Sequence, residues 1–175
     1  PEKTVYEWIN LKGEGAMHSS TGLAISANEI LEVISPEILR WLIMKPQPNR
    51  HIDFDPGIGI LNLTGDYERV ELDYNKNEEK TDLHRAYELS QVDTEIKESG
   101  DLLGQVKSYR NLLTLVQSKS SLEDMISSLK RIGILEESTE EIERYLGKRV
   151  EYVKNWLVRY APDEIKFEIK KETPE

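Results

Sequence analysis

PEILRWLIMKPQPNRHIDFD, residues 36–55, changes its periodicity once, and that change predicts a helix followed by a strand. Ser35-Pro36 stops what precedes and opens the helix, because proline at the first helical position gives up an N–H that has no partner there anyway. Ile38, Leu39, Leu42 and Ile43 share one helical face and predict a buried stripe. KPQPNR, 45–50, breaks the pattern with two prolines. HIDFD, 51–55, alternates polar and apolar residues, as an edge strand with one buried face does. Pro56, Gly57 and Gly59 end it in a turn.

Working upstream, Ser26 stands three residues before Glu29. This is a capping box, in which the serine hydroxyl accepts an orphan N–H at the helix start. It predicts a helix with Ile30, Leu31 and Ile34 on one side. Before it lies GEGAMHSSTGLAIS, 13–26, and before that KTVYEWINL, 3–11, which reads as a short strand.

Downstream, Leu63, Tyr67, Val70 and Tyr74 recur at i, i+4, i+7 and i+11 and predict a helix, although Gly65 is a poor helix former. NKNEEK, 75–80, reads as a polar loop and 82–92 as helix. Leu102, Leu103, Val106, Tyr109, Leu113 and Val116 trace another helix face. Ser120 and Glu123 predict a second capping box, for a helix with Leu122, Met125, Ile126, Leu129 and Ile132 inward and Gly133 as its left-handed stop. Ser138 and Glu141 predict a third, for a helix that turns Ile142, Leu146, Val150, Val153, Leu157 and Tyr160 inward and ends at Pro162. EIKFEIK, 164–170, alternates and predicts a closing strand. The expected fold is mainly α (α+β), with a mixed α/β piece over 1–55 and an α-helical bundle over 56–175.

The 175 residues suffice for one large domain or two small ones, with 38% hydrophobic and 32% charged residues. Cysteine is absent, which rules out a disulfide framework and a cysteine nucleophile and points to a reducing cytoplasm. No run of about eighteen apolar residues exists, so no membrane partner is expected. The opening PEKTVYEW has no signal-peptide core. A net charge of −10 opposes non-specific nucleic-acid binding, so any RNA contact has to use a local basic face.

Several chemistries lack their motif. Neither Gly13 nor Gly15 leads into the Gly-Lys of a phosphate-binding loop, and His18 occupies the third glycine of a dinucleotide fingerprint. DFDPGI, 53–58, lacks the third ligand of a calcium loop. His18, His51 and His84 have no helical pairing, so no metal site is expected. Lys107, Arg110, Lys119, Lys130, Arg131, Lys148, Arg149, Lys154 and Arg159 form either a solvated helix surface or a tract that follows an RNA backbone. GEGAMHSSTG is likewise a surface loop or a phosphate cradle, since glycines permit close approach and serine hydroxyls suit phosphate oxygens.

The order of elements adds a further indication. An aromatic strand, a glycine loop with M-x-S-S-x-G, PEILRWLI, KPQPNRHIDFD, HRAYELS (84–90) and RYAPDEIKFEI (159–169) together resemble the C-terminal part of class I lysyl-tRNA synthetases, the type typical of archaea. The resemblance covers most of the chain. It implies that residues 16–20 correspond to the Lys-Met-Ser-Lys-Ser loop that closes over ATP and stabilises the departing pyrophosphate as the aminoacyl-adenylate forms. Met17 and Ser20 match, Gly22 matches the following glycine, and His18 and Ser19 stand for the first serine and second lysine. Ala16 stands for the first lysine, so both cations of the motif are replaced. Met17, His18, Ser19, Ser20 and Gly22 are the ATP-binding residues this implies.

The family's His-Ile-Gly-His motif is not in the sequence, and the chain begins at Pro1, which together suggest a fragment. On this resemblance the parent would use ATP, with Mg2+, to join lysine to tRNA. The chain would carry the end of the catalytic domain over 1–55 and an incomplete tRNA/anticodon-binding domain over 56–175. It would be inactive alone. Two alternatives stand beside this: a glutamyl-like class I synthetase, or a stand-alone helical RNA- or protein-binding module derived from a synthetase.

Overall fold

Two short strands precede the first helices, and the alternating HIDFD segment returns after them as a third. The computed structural model describes residues 9–12, 15–16, 25–47, 50–77, 79–92, 108–135 and 137–167. They fall in two compact units, Pro1–Thr94 and Glu95–Glu175. In the first, β1 (Ile9–Leu11) lies between β2 (Gly15–Ala16) and β3 (Ile52–Phe54). β1 and β3 are parallel, with Asn10 opposite Asp53, and β2 folds back antiparallel with Ala16 opposite Asn10. Parallel neighbours need a crossover, and α1 (Ala27–Leu31) and α2 (Pro36–Met44) supply it. Ile52 and Phe54 are buried and Asp53 is exposed, as the alternation predicted.

The capping box at Ser26 is present: its hydroxyl accepts from Glu29 N–H at 3.2 Å, and Glu29 accepts from Ser26 N–H at 2.7 Å. Ile30, Val33 and Ile34 are buried and Leu31 is half-buried. On α2 the buried face is Ile38, Trp41 and Leu42, whereas Ile43 is largely exposed. The stripe is turned toward Trp41 because the indole packs edge-on against Tyr67 of α3 (Ile58–Lys76), at 5.8 Å between ring centres.

α3 starts as soon as the turn ends. Asp55 accepts from Gly57 N–H at 2.9 Å, and a Cβ on Gly59 would collide with the Asp55 Cβ, so glycine is required by close approach. The helix runs through Gly65 and takes in Asn75 and Lys76, which the composition had assigned to a loop. α4 (Asp82–Ser90) follows the Thr81 cap.

α3 and α4 were expected with the helical half beyond residue 55. Both pack with α2 inside the first unit instead, because Tyr67, Tyr74, His84 and Tyr87 build one aromatic core with Trp41. Hydrophobic periodicity gives a helix its buried face without naming the neighbour that covers it.

The described residues of the second unit form the helices α5 (Tyr109–Ser118), α6 (Leu122–Arg131) and α7 (Glu140–Arg159). Leu102, Leu103 and Val106 lie outside the described residues. Both expected caps move by one residue. Ser121, not Ser120, accepts from Asp124 N–H at 3.1 Å, and Thr139, not Ser138, accepts from Ile142 N–H at 3.3 Å. Ser138 donates instead to Glu143 at 2.7 Å. Gly133 ends α6 at φ 73°, the left-handed stop the sequence predicted, and this leaves Ile132 60% exposed rather than inward. Along α7, Ile142, Leu146, Val150 and Val153 are buried as expected. The last buried position is Trp156 rather than Leu157, since its ring meets Tyr109 edge-on at 6.1 Å.

The expected closing strand is absent among the described residues. Asp163–Ile165 forms a 3₁₀ turn, and the Gln117 side chain takes the nearby backbone groups: Phe167 N–H donates to it at 2.8 Å and it donates to Ile165 C=O at 3.3 Å. A strand needs a neighbouring strand to satisfy its backbone, and here a side chain does that.

Candidate nucleic-acid interface

Met17, His18, Ser19, Ser20 and Gly22 lie outside the described residues. The base of their loop is described. Ala16 sits in β2 beside Asn10. At the end of β1, Lys12 donates its backbone N–H to Phe54 C=O at 3.0 Å and pairs through Nζ with Asp55 at 3.2 Å. Asn10 donates to Asp53 at 3.3 Å. Parallel pairing thus sets two polar links between the strand before the loop and the HIDFD strand. Among the described residues no three His, Asp or Glu side chains converge to hold a metal ion, and no helix is long and apolar enough to cross a membrane.

The two sequence segments PEILRWLI and HRAYELS meet. Arg40 of α2 donates to Leu89 C=O near the end of α4 at 2.9 Å. His84 is buried at the start of α4, where Nδ1 accepts from Thr81 N–H at 3.2 Å and Nε2 lies 2.9 Å from Asp73 of α3. The acceptor role at Nδ1 places the neutral ring's proton on Nε2, which donates to the carboxylate. Tyr87 donates to Glu71 at 3.3 Å, and Gln91 donates to the Tyr67 hydroxyl at 3.1 Å. Burial pushes both the Tyr67 and the Tyr87 hydroxyl above the ordinary tyrosine pKa.

A groove of about 1100 Å³ opens beside this braced core. Trp41 and Lys45 come from α2 and its C-cap, Asp66, Arg69, Asp73 and Lys76 from α3, with Arg50 and Leu83 at the edges. Residues 66, 69, 73 and 76 share one face of α3 because they are three, seven and ten positions apart. Four cations therefore face two carboxylates. Both carboxylates are engaged, Asp66 with Arg69 at 3.0 Å and Asp73 with His84 and with Asn77, which donates at 2.6 Å. Lys45 Nζ stands 4.6 Å from the centre of the Trp41 ring, and burial lowers its pKa against a smaller opposing effect from Asp66. The result is a local positive surface on a chain of net charge −10.

A family model described as tRNA synthetases class I (K) matches residues 1–93. The chain belongs to this family. The lysine–tRNA ligase of Thermoplasma volcanium is 43% identical over 169 residues, 97% of this chain and 32% of that protein. That of Thermoplasma acidophilum is 42% identical over 171 residues, with the same two coverages. The lysine–tRNA ligase of Archaeoglobus fulgidus is 38% identical over 170 residues, 97% of this chain and 31% of that protein. The chain spans about a third of the length of the curated relatives it matches.

For the basic residues of the last helices of this class I synthetase chain, the sequence predicts a solvated surface or a tract that follows an RNA backbone. Lys107 lies outside the described residues. Lys130, Arg131, Lys148, Lys154 and Arg159 are solvent-exposed side chains on α6 and α7, and Arg149 is half-buried with Nη1 on the Tyr145 hydroxyl at 3.2 Å. The groove cations were missed because they come from three separate stretches of chain. A partial signal was present: Asp66, Arg69, Asp73 and Lys76 alternate in sign along a single helical face.

Proposed function

We propose that the complete polypeptide is a cytoplasmic ATP-dependent ligase that joins lysine to tRNA through lysyl-adenylate, and that this chain supplies tRNA docking and one flap of the ATP site. The observation that carries this reading is identity of about two residues in five, over nearly the whole chain, to proteins named lysine–tRNA ligase. The same names favour lysine over glutamate as the amino acid. The family match to residues 1–93 supports a synthetase origin for the part that holds both the loop and the groove. Met17, His18, Ser19, Ser20 and Gly22 form the flap, anchored at Ala16 through β2. With both motif lysines replaced, the flap binds phosphate through hydroxyls and backbone N–H groups, donors that strengthen as charge builds on the leaving pyrophosphate. ATP would be used with Mg2+, as the class I family implies. The chain by itself, lacking a His-Ile-Gly-His motif, does not form the adenylate.

Lysine-dependent ATP–pyrophosphate exchange by the complete polypeptide, with tRNA present, tests this. Exchange with lysine and not with glutamate is expected, and its absence would remove the ligase reading. In that polypeptide, Ser19→Ala combined with Ser20→Ala slows exchange by more than it weakens lysine binding. Unchanged exchange would remove the flap assignment.

A further inference from the structure

Trp41 is 1% exposed, lines the groove, and its Nε1–H has no hydrogen-bond partner. A buried donor left unmade costs about 1–3 kcal/mol, so such a group asks for an acceptor. Directly over the same ring sits Lys45, half-buried, with no ion pair among the described residues. Arg50 and Lys76 at the rim are exposed and also form no ion pair among the described residues. A donor without an acceptor and three cations outside any ion pair share one groove with the engaged carboxylates Asp66 and Asp73. The same lining includes Leu72 and Leu83, 49% and 46% exposed, and half-buried Val70. The lining therefore offers cations to an anionic oxygen and apolar side chains to the face of a sugar or base. That combination matches a nucleotide within a polyanion better than a free anion, which has no use for the leucines. It also matches it better than an acidic peptide, whose carboxylates stand on flexible side chains.

We propose that this groove is a seat for one nucleotide of the bound tRNA, with a backbone phosphate on Lys45 and Trp41 Nε1–H and the attached ribose or base against Leu72 and Leu83. Arg50 and Lys76 hold the phosphates on either side. This deepens the reading of the chain as a tRNA-docking part and rests on it. The occupied groove gives the indole its acceptor and Lys45 its counter-charge. Asp73, which lines the groove, is engaged by His84 and Asn77, and Asp66 by Arg69.

The test is binding of an in vitro transcribed tRNA with a lysine anticodon to this chain, by fluorescence anisotropy across a salt series. Each lost phosphate contact reduces the slope of log K against log salt by roughly one. Lys45→Gln is expected to weaken binding several-fold and lower the slope by about one, and Arg50→Gln with Lys76→Gln to lower it by about two. Trp41→Phe keeps the ring and removes the N–H, so it weakens binding several-fold with the slope unchanged. Arg85→Gln, an exposed cation of α4 outside the groove, leaves both quantities unchanged. Far-UV circular dichroism and thermal midpoints establish that each variant is folded; if Trp41→Phe is not, the slopes of Lys45→Gln and of Arg50→Gln with Lys76→Gln still decide. Slopes unchanged in the groove variants, an equal loss in Arg85→Gln, or displacement of the RNA by millimolar ATP would overturn the proposal. Loss of pyrophosphate exchange by the complete polypeptide would remove the ligase reading without altering these slopes, so the two failures are distinguishable.

Discussion

In the first unit five rings run from Trp41 through Tyr67, Tyr87 and Tyr74 to His84, joining α2, α3 and α4. In the second, Tyr109 and Trp156 meet edge-on among aliphatic side chains of α5, α6 and α7. Polar bonds tie the first unit across helices: Arg40 to Leu89, His84 to Asp73, Tyr87 to Glu71, Gln91 to Tyr67. The second has amphipathic helices, capped on α6 and α7, and its long-range polar links include Tyr109 to Tyr152 C=O and Gln117 to the backbone at 165 and 167. The difference teaches where specificity is placed. A ring-and-polar core fixes the mutual rotation of its helices, because each hydrogen bond has one geometry. An aliphatic bundle needs only matched stripes. The unit with the fixed geometry is the one that carries the groove.

The largest expected effect that would break this contrast is alkaline unfolding. Burial raises the pKa of Tyr67 and Tyr87 in the first unit and of Tyr109 in the second. A raised tyrosine pKa means that the folded state holds its proton longer. The associated stability is complete below the unfolded value of about 10 and declines as pH rises above it. With two such groups against one, the first unit should lose its near-UV tyrosine signal at lower pH. A first unit that outlasts the second would contradict the contrast.

Trp156→Ala should cost about 3–5 kcal/mol in the second unit, the range for emptying a buried aromatic site. Urea denaturation monitored by amide exchange on α5–α7 checks it. His84→Ala should cost about 1–3 kcal/mol, by leaving the Asp73 and Thr81 groups without their partner, and should speed exchange along α4 before the rest of the first unit. An equal change in the second unit would argue against independent cores. Thr139→Ala should cost about 1 kcal/mol and Ser138→Ala less, which locates the cap. The smallest effect has the opposite sign. A Cβ on Gly65 meets nothing within 4 Å, so Gly65→Ala should stabilise α3 by about 0.5–1 kcal/mol. Thermal melting detects either change.

Much of the second unit was legible in the letters. Met125, Ile126, Leu129, Ile142, Leu146, Val150 and Val153 were read as buried, and Gly133 as a stop, because amphipathic spacing and left-handed glycine act locally. The caps were misplaced by one residue since Ser120-Ser121 and Ser138-Thr139 offer two adjacent hydroxyls, and only the helix register selects between them. In the first unit the strand at 52–54 and the Ser26 box were legible for the same local reason. The assignment of α3 and α4 to that unit was not. Nor was the groove, whose cations at 45, 50, 69 and 76 meet only after α2 and α3 pack.

By itself, then, the sequence determined the helices and most of their apolar faces, the edge strand in HIDFD, the absence of cysteine chemistry and the resemblance to class I lysyl-tRNA synthetases. These depend on residues within a few positions of each other or on letters in order. The tertiary structure decided which helices share a core, why Trp41 and Trp156 displace the expected stripe residues, and where an acidic chain gathers positive charge. Those outcomes depend on distances between residues far apart in the chain, which no local period encodes.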